Sequence, residues 1–246
     1  MKKIIIFIHI PKTAGTSMRK IIEKQYNVMQ RRYYYNGYQD AFNRLKGTPQ
    51  QKLNTVKWVQ GHFQFGLHEA ISNPVEYIAM LRHPVDRVIS YYYFLRENPR
   101  HPLHQKAKSL HLKDFIMSEE NIIQDGINNL QTTLISGEGT PSFEKAKKNI
   151  DEHFMMVGLT ERFNESLFLM RKKLKWYVPY SSRHNVTRSR PKMSQVSEDV
   201  KKIIEQKNEF DFQLYEYGKA IFQKHLEELD PAAQQELRKM TGRTKL

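Results

Sequence analysis

Residues 11–17, Pro-Lys-Thr-Ala-Gly-Thr-Ser, are the part of this chain whose types and spacing are best suited to bind an anion. They follow an apolar run and precede a helical pattern, and the turn between a strand and a helix exposes free backbone N–H groups at the positive helix end. A glycine there lets the backbone approach a ligand closely. We therefore predict an anion site formed by Lys12, Thr13, Ala14, Gly15, Thr16 and Ser17.

This loop is not a Walker A motif, which reads G-x-x-x-x-G-K-[ST]. Its lysine precedes its glycine, and the leading glycine is absent. A polar turn with a solvated lysine is the alternative interpretation, and spacing alone does not decide between the two.

Arg82 and Ser90 form a second candidate anion site. Arg82 follows the predicted strand 75–81, and Ser90 lies about two turns along the next predicted helix. Ligands of parallel sheets bind at the carboxyl ends of the strands, and a guanidinium group matches phosphate oxygens bidentately. The two side chains could therefore clamp one phosphate. In the alternative interpretation, Arg82 and Arg87 pair with Asp86 or with solvent.

His62 is the candidate general base. It lies in Gly-His-Phe, residues 61–63, directly after the predicted strand 54–60. A lone histidine is more often structural than catalytic. At a strand end beside two candidate phosphate sites, however, an imidazole is well placed to accept a proton near neutral pH.

The elements that must position these residues indicate an α/β protein. Near-continuous apolar runs rich in β-branched residues predict buried parallel strands, and helical spacing separates them. We predict one domain over residues 1–246, a P-loop-like parallel sheet flanked by helices, with the C-terminal helices of about 197–240 packed on it or appended. The predicted strands are 4–10, 54–60, 75–81 and 154–158; the predicted helices are 16–25, 86–97, 113–118, 121–136, 161–174, 197–228 (with a break near Asp211) and 231–240.

Composition narrows the partners. The 246 residues include 40 Lys and Arg against 26 Asp and Glu, a formal net charge of +14, which favours an anionic partner. The absence of cysteine excludes a disulfide framework, a cysteine nucleophile and cysteine-ligated metal. The apolar run at the start is interrupted by His9 and Pro11, and no secretory cleavage pattern follows. We expect a cytoplasmic protein without stable membrane insertion.

Taken together, the three motifs resemble those of the sulfotransferases that use 3′-phosphoadenosine-5′-phosphosulfate (PAPS), closest to the carbohydrate branch with the uronosyl (heparan sulfate) 2-O-sulfotransferases. Residues 11–17 are similar to that family's 5′-phosphosulfate loop. Residues 82–95, ending in Tyr-Tyr-Tyr-Phe-Leu, are similar to its 3′-phosphate motif. Residues 61–63 stand where that branch has its catalytic histidine, and residues 157–161 are similar to its fourth-strand motif.

The resemblance implies a sulfotransferase fold and specific roles. Lys12 would stabilise charge on the leaving 3′-phosphoadenosine 5′-phosphate, His62 would take the proton of an acceptor hydroxyl, and no metal is expected. Residues 183–192 resemble the late loop that folds over the nucleotide. Its candidate nucleotide ligands are Arg188, Arg190 and Lys192.

The acceptor is the open part of this interpretation. The resemblance implies a hydroxyl of a glycan or of a glycosylated small molecule, but the animal uronosyl enzymes have arginine where this chain has His9, which points to a different acceptor. Residues 31–35, Arg-Arg-Tyr-Tyr-Tyr, could line an acceptor cleft, although a solvated basic face is the favoured interpretation. A P-loop-type nucleotide kinase and a basic nucleic-acid-binding module are the alternative functions. We expect no nucleic-acid partner, and the sequence leaves the oligomeric state open.

Overall fold

The structure, a computed structural model, describes residues 1–176, 191 and 193–242. Its sheet consists of β1 (Ile4–Ile8), β2 (Arg31–Tyr34), β3 (Trp58–Gly61), β4 (Val75–Leu81) and β5 (Phe154–Leu159). The strands are ordered β2-β3-β1-β4-β5, and all four neighbouring pairs are parallel. The predicted parallel α/β fold is confirmed.

Strand β1 shows why the sequence folds this way. Its five residues, Ile-Ile-Ile-Phe-Ile, are all buried, and it lies at the centre of the sheet between β3 and β4. A strand covered on both faces needs a continuous apolar run rather than an alternating one. The largest cluster of buried apolar side chains surrounds this strand.

The helices cover the sheet and form a second, smaller apolar cluster beside it. The fourth helix contributes more buried residues to this cluster than any other element. The helices are α1 (Gly15–Gln25), α2 (Tyr38–Lys46), α3 (Gln50–Leu53), α4 (Pro84–Glu97), α5 (His104–Ser109), α6 (Leu112–Met117), α7 (Asn121–Ile127), α8 (Leu130–Ser136), α9 (Phe143–His153), α10 (Phe163–Leu174), α11 (Glu198–Lys207), α12 (Glu209–Glu227) and α13 (Pro231–Thr241).

The structure corrects the prediction at several elements. The sheet has a fifth strand, β2, inside the 31–35 cluster, and α2 and α9 are further helices that the sequence analysis did not include. The predicted helix 121–136 is two helices, because Asn129 between them adopts a left-handed conformation with φ of 45°. The break in the predicted helix 197–228 falls at Asn208, between α11 and α12, rather than at Asp211.

Helix α12 packs directly on the sheet. A Cβ at Gly218 would lie 2.7 Å from the Leu81 side chain, so any larger residue there would force Leu81 of β4 to move. Its contacts with β5, α8 and α9 bring the C-terminal helices up to the rest of the fold.

Candidate active site

The three predicted motifs meet at one edge of the sheet, because the carboxyl ends of parallel strands lie together. Strand β1 leads into His9 and the loop 11–17, β3 into His62, and β4 into Arg82. Strand β2 ends at the same edge and leads into Tyr35. Along this edge the order is therefore Tyr35, His62, the loop after β1, and Arg82.

The loop after β1 is tightly wound. Lys12 and Ala14 both have left-handed backbone conformations, with φ of 73° and 68°, which cost an L-residue on the order of 1–2 kcal/mol each. Thr13 between them is buried, and its hydroxyl donates to the Ile10 carbonyl oxygen over 2.8 Å. Strained backbone of this kind occurs at ligand-binding sites, where the surrounding structure sustains it. The Thr13 hydroxyl, predicted as a ligand donor, here holds the loop itself.

Gly15 has a role in this structure that the sequence did not reveal. A Cβ at this position would lie 1.8 Å from the His9 ring, so only glycine permits the imidazole to rest on the start of α1. Of the two other hydroxyl residues in the loop, Thr16 is exposed and Ser17 is buried.

Arg82 links the second motif to the first. Its Nη1 donates to the Lys12 carbonyl oxygen over 2.8 Å, and its Nε and Nη2 both donate to Asp86 Oδ2, over 2.8 and 2.6 Å. For Arg82 the predicted alternative, a pair with Asp86, is therefore present. The guanidinium group is thus held between Asp86 and the backbone of the loop after β1. For Arg87 the predicted alternative is wrong, because this residue is fully buried and donates to the carbonyl oxygens of Gly126 and Ile127.

Ser90 lies on the face of α4 that contacts Arg82 and the loop after β1. Asp86, Ser90 and Phe94 are spaced by four residues along α4, so their side chains share one face. Asp86 contacts Arg82, and the Phe94 ring lies 4.2 Å from Lys12 Nζ. Ser90 lies between Asp86 and Phe94 on this face and is buried.

His62 is exposed and is held by the strands beside it. Its backbone N–H donates to the Tyr34 carbonyl oxygen over 3.0 Å, and its ring centroid lies 4.6 Å from that of His9 and 4.8 Å from that of Tyr35. Although the residue as a whole is exposed, its ring packs against those of His9 and Tyr35, and desolvation of the ring lowers the pKa of His62 below its ordinary value. Its imidazole is therefore neutral, and able to accept a proton, at neutral pH.

His9 is the second imidazole of the site. Burial, with the neighbouring charges of His62, Lys12 and Arg19, lowers its pKa to about 3. Its Nδ1 is buried and has no hydrogen-bond partner among the residues that the structure describes. His9 therefore stays uncharged at neutral pH and contributes no cation to the site.

Two further residues belong to this region: Tyr35, which the sequence analysis named only within a cluster that could line an acceptor cleft, and Gln60, which it missed. Tyr35 contacts both histidine rings, and the buried Gln60 donates through Nε2 to the Gly15 carbonyl oxygen over 3.2 Å and to the Tyr35 hydroxyl over 3.4 Å. For the 31–35 cluster, a solvated basic face is the wrong description of Tyr34, which is buried, and of Tyr35. The run of tyrosines was the available signal, and its position next to β3 was not predictable.

The motif at residues 157–161 holds the ends of β4 and β5 together. Glu161, just after β5, accepts the His83 backbone N–H at Oε1 over 2.9 Å and the Tyr215 hydroxyl at Oε2 over 3.3 Å. It thereby ties the end of β4 to α12.

Three of the predicted nucleotide ligands, Arg188, Arg190 and Lys192, lie outside the described residues. Among the residues that are described, no three His, Cys, Asp or Glu side chains are grouped so as to hold a metal ion. None of the helices described here combines the length and apolar character needed to cross a membrane.

Known proteins similar to this chain include heparan sulfate 2-O-sulfotransferase 1 of Homo sapiens, 25% identical over 198 residues, and that of Gallus gallus, 26% identical over 198 residues. Each match covers 70% of this chain and 54% of the relative, so the chain spans about half the length of these curated relatives.

A solved structure, that of a sulfotransferase from Alicyclobacillus acidocaldarius, superposes with a TM-score of 0.50 at 13% identity, covering 91% of this chain and 99% of that one. At this identity the likeness concerns the fold, and it agrees with the predicted sulfotransferase fold. Residues 2–218 match the family model described as "Sulfotransferase family". The chain therefore belongs to the sulfotransferase family.

Proposed function

We propose that this protein transfers a sulfuryl group from PAPS to a hydroxyl of a glycan or glycosylated acceptor. The observation that carries the proposal is the order of groups along the carboxyl edge of the sheet. Arg82, the Lys12 loop and His62 follow one another on β4, β1 and β3, so two anion-binding groups and a neutral base lie side by side.

The donor side fits a nucleotide with two separate anionic ends. The 3′-phosphate would be held by Arg82 and Ser90, and the 5′-phosphosulfate by Lys12 and the backbone N–H groups that begin α1. Bound there, PAPS supplies the sulfuryl group. Guanidinium, ammonium and N–H donors are the groups that bind phosphate and sulfate oxygens most strongly.

The chemical work of this chain is then positioning, charge stabilisation and one proton transfer. The Lys12 ammonium group stabilises negative charge that develops on the nucleotide phosphate, and a neutral His62 ring nitrogen accepts the proton of the acceptor hydroxyl. Transfer reactions with loose transition states depend mainly on such positioning and electrostatics.

The acceptor approaches from the β2 side of His62. In-line transfer places the attacking oxygen opposite the nucleotide, and the nucleotide-binding groups lie on β1 and β4. Tyr35 lies on the β2 side, next to His62, and the His9 ring contacts both His62 and Gly15 of the loop after β1. The neutral His9 offers no charge to a carboxylate at that point, which supports an acceptor different from the uronic acid of the animal enzymes.

Thermal denaturation with nucleotides tests the proposed function. We expect 3′-phosphoadenosine 5′-phosphate to raise the melting temperature without Mg²⁺, because a ligand that binds only the folded state stabilises it, by about 2.7 kcal/mol at a hundred times its dissociation constant. No shift with this nucleotide, together with a shift caused by ATP and Mg²⁺, would instead favour a nucleotide kinase. A shift caused only by nucleic acid would favour the binding module.

The proposed roles are tested by two variants and a control. His62→Ala should abolish sulfuryl transfer and leave nucleotide binding nearly intact, whereas Arg82→Ala should weaken nucleotide binding itself. His111→Ala, at an exposed histidine on the N-terminal side of α6, should change neither. Near-normal turnover of His62→Ala would show that another group takes the proton.

A further inference from the structure

Gln131, at the start of α8, is a fully buried amide that binds both peptide groups of Arg82. Its Oε1 accepts the Arg82 backbone N–H over 2.9 Å, and its Nε2 donates to the Arg82 carbonyl oxygen over 2.9 Å. One side chain thus provides the pair of hydrogen bonds that a neighbouring strand provides elsewhere. This matters because Arg82 lies one residue beyond the end of β4.

Gln131 is itself held by a residue of α12, which packs against α8. Its backbone N–H donates to Asp211 Oδ2 over 3.2 Å, and the N–H and hydroxyl of Thr132 donate to Asp211 Oδ1 over 2.7 and 2.8 Å. Asp211 belongs to α12 and is completely buried. A carboxylate that accepts the first N–H groups of a helix fixes that helix end. The amide of Gln131 therefore has little freedom to move.

We propose that Gln131 is a positioning residue for Arg82, and that it sets how strongly the protein binds the 3′-phosphate of the nucleotide. This inference rests on the proposed function. A guanidinium group binds phosphate well only when its backbone presents it at the correct angle, since bidentate geometry is strict. The Arg82 side chain contacts both Asp86 and the Lys12 carbonyl oxygen, so a shift of its peptide displaces it from the loop as well.

The variant Gln131→Met tests this, because it keeps the length and the apolar part of the side chain but removes both hydrogen bonds. Its affinities for 3′-phosphoadenosine 5′-phosphate and for adenosine 5′-phosphate, which lacks the 3′-phosphate, are measured by calorimetric titration. We expect the first affinity to fall about tenfold and the second to stay within about twofold. The preference for the 3′-phosphate should therefore drop by at least about fivefold.

Asn149→Ala is a matched control. Asn149 is also buried and also makes two hydrogen bonds to α8, at its other end, through Nδ2 to the carbonyl oxygens of Ile135 and Ser136 over 2.9 and 3.0 Å. The variant Asn149→Ala should lower the melting temperature about as much as Gln131→Met does, but it should leave the preference for the 3′-phosphate unchanged. A preference that fell equally in Asn149→Ala would show that general loosening of α8, not the contact to Arg82, is responsible.

Two other outcomes would overturn the inference. If Gln131→Met does not fold, the milder Gln131→Asn is used, in which the side chain is shorter by one methylene group. Its preference for the 3′-phosphate should also fall, but by a smaller factor. An unchanged preference in whichever variant folds would remove the role of Gln131 while leaving the proposed function intact. A wild-type protein that bound both nucleotides equally would overturn the proposed function, and this inference with it.

Discussion

At the scale of single residues, the site contains two uncharged histidines in contact, His9 and His62, next to the cation Lys12. The ring of His9 lies on Gly15 and faces His62, and its neighbours are cationic or neutral rather than acidic. An imidazolium there would be both desolvated and repelled. Both rings therefore stay uncharged at neutral pH, as the proposed role of His62 as a base requires.

The low pKa of His9 makes folding stability depend on pH. Its pKa is about 3 in the folded protein against an ordinary value of 6.5, so the unfolded chain binds this proton first as the pH falls. The corresponding stability is present above pH 6.5 and is lost progressively towards pH 3. In His9→Gln, the unfolding free energy should fall less steeply than in the wild type as the pH decreases below 6.5. The two slopes should differ by at most ~1.4 kcal/mol per pH unit, which is the contribution of one proton. Urea unfolding between pH 7 and 4 measures this.

The control is His111→Gln, which removes an exposed histidine away from the site and should leave the pH dependence of the wild type. Parallel stability curves for the wild type and His9→Gln would show that His9 titrates normally in the folded protein.

At the scale of elements, the sequence predicted the three strands that position the site, because each is a buried apolar run and a chemically distinctive residue follows its end. Strand β2 and the break between α7 and α8 were not predictable. Strand β2 is a short edge strand of arginine and tyrosine, and its strand form depends on pairing with β3. The break depends on partners distant in sequence, whereas the apolar spacing runs through it without interruption.

Asn129 shows what ends the predicted long helix. Its backbone N–H donates to Asn208 Oδ1 over 2.9 Å, its Nδ2 donates to the Lys207 carbonyl oxygen over 3.2 Å, and its Oδ1 accepts the Asp211 N–H over 3.0 Å. These contacts hold the junction of α11 and α12 to the start of α8. Asparagine also tolerates the left-handed conformation that it adopts here.

Two substitutions at Asn129 separate its hydrogen bonds from its backbone conformation. Asn129→Gly should lower the unfolding free energy through its two lost side-chain hydrogen bonds, at about 1 kcal/mol each. Asn129→Ala loses the same bonds and adds roughly 1–2 kcal/mol for a left-handed alanine. Urea unfolding of both variants gives the difference. The exposed Asn121→Ala should stay within about 0.5 kcal/mol of the wild type, and equal losses in Asn129→Gly and Asn129→Ala would contradict the conformational part.

At the scale of the whole molecule, the net charge of +14 exceeds what the site uses. Of the described cations, Lys12 and Arg82 are the two that the proposed function assigns to the nucleotide. Most ion pairs in the described part of the chain are exposed, such as Lys113 with Asp199 and Lys219 with Glu216, and pairs of this kind stabilise the fold little. The excess positive charge therefore acts mainly through the field that it produces around the protein, which attracts anionic ligands before contact.

Lys2 and Lys52 allow this field to be tested apart from the site. Both are exposed and lie towards the amino end of the sheet, before β1 and β3, whereas the site lies at the carboxyl end. The length of β1 separates Lys2 from the site by roughly 16 Å, about twice the Debye length of ~8 Å at physiological salt. In the double variant Lys2→Glu, Lys52→Glu, the association rate of 3′-phosphoadenosine 5′-phosphate should fall several-fold in 10 mM salt and match the wild type in 150 mM salt, at an unchanged dissociation rate. Stopped-flow fluorescence resolves both rates. A deficit that persisted in 150 mM salt, or that appeared in the dissociation rate, would show that these lysines act by contact or through the fold rather than through the field.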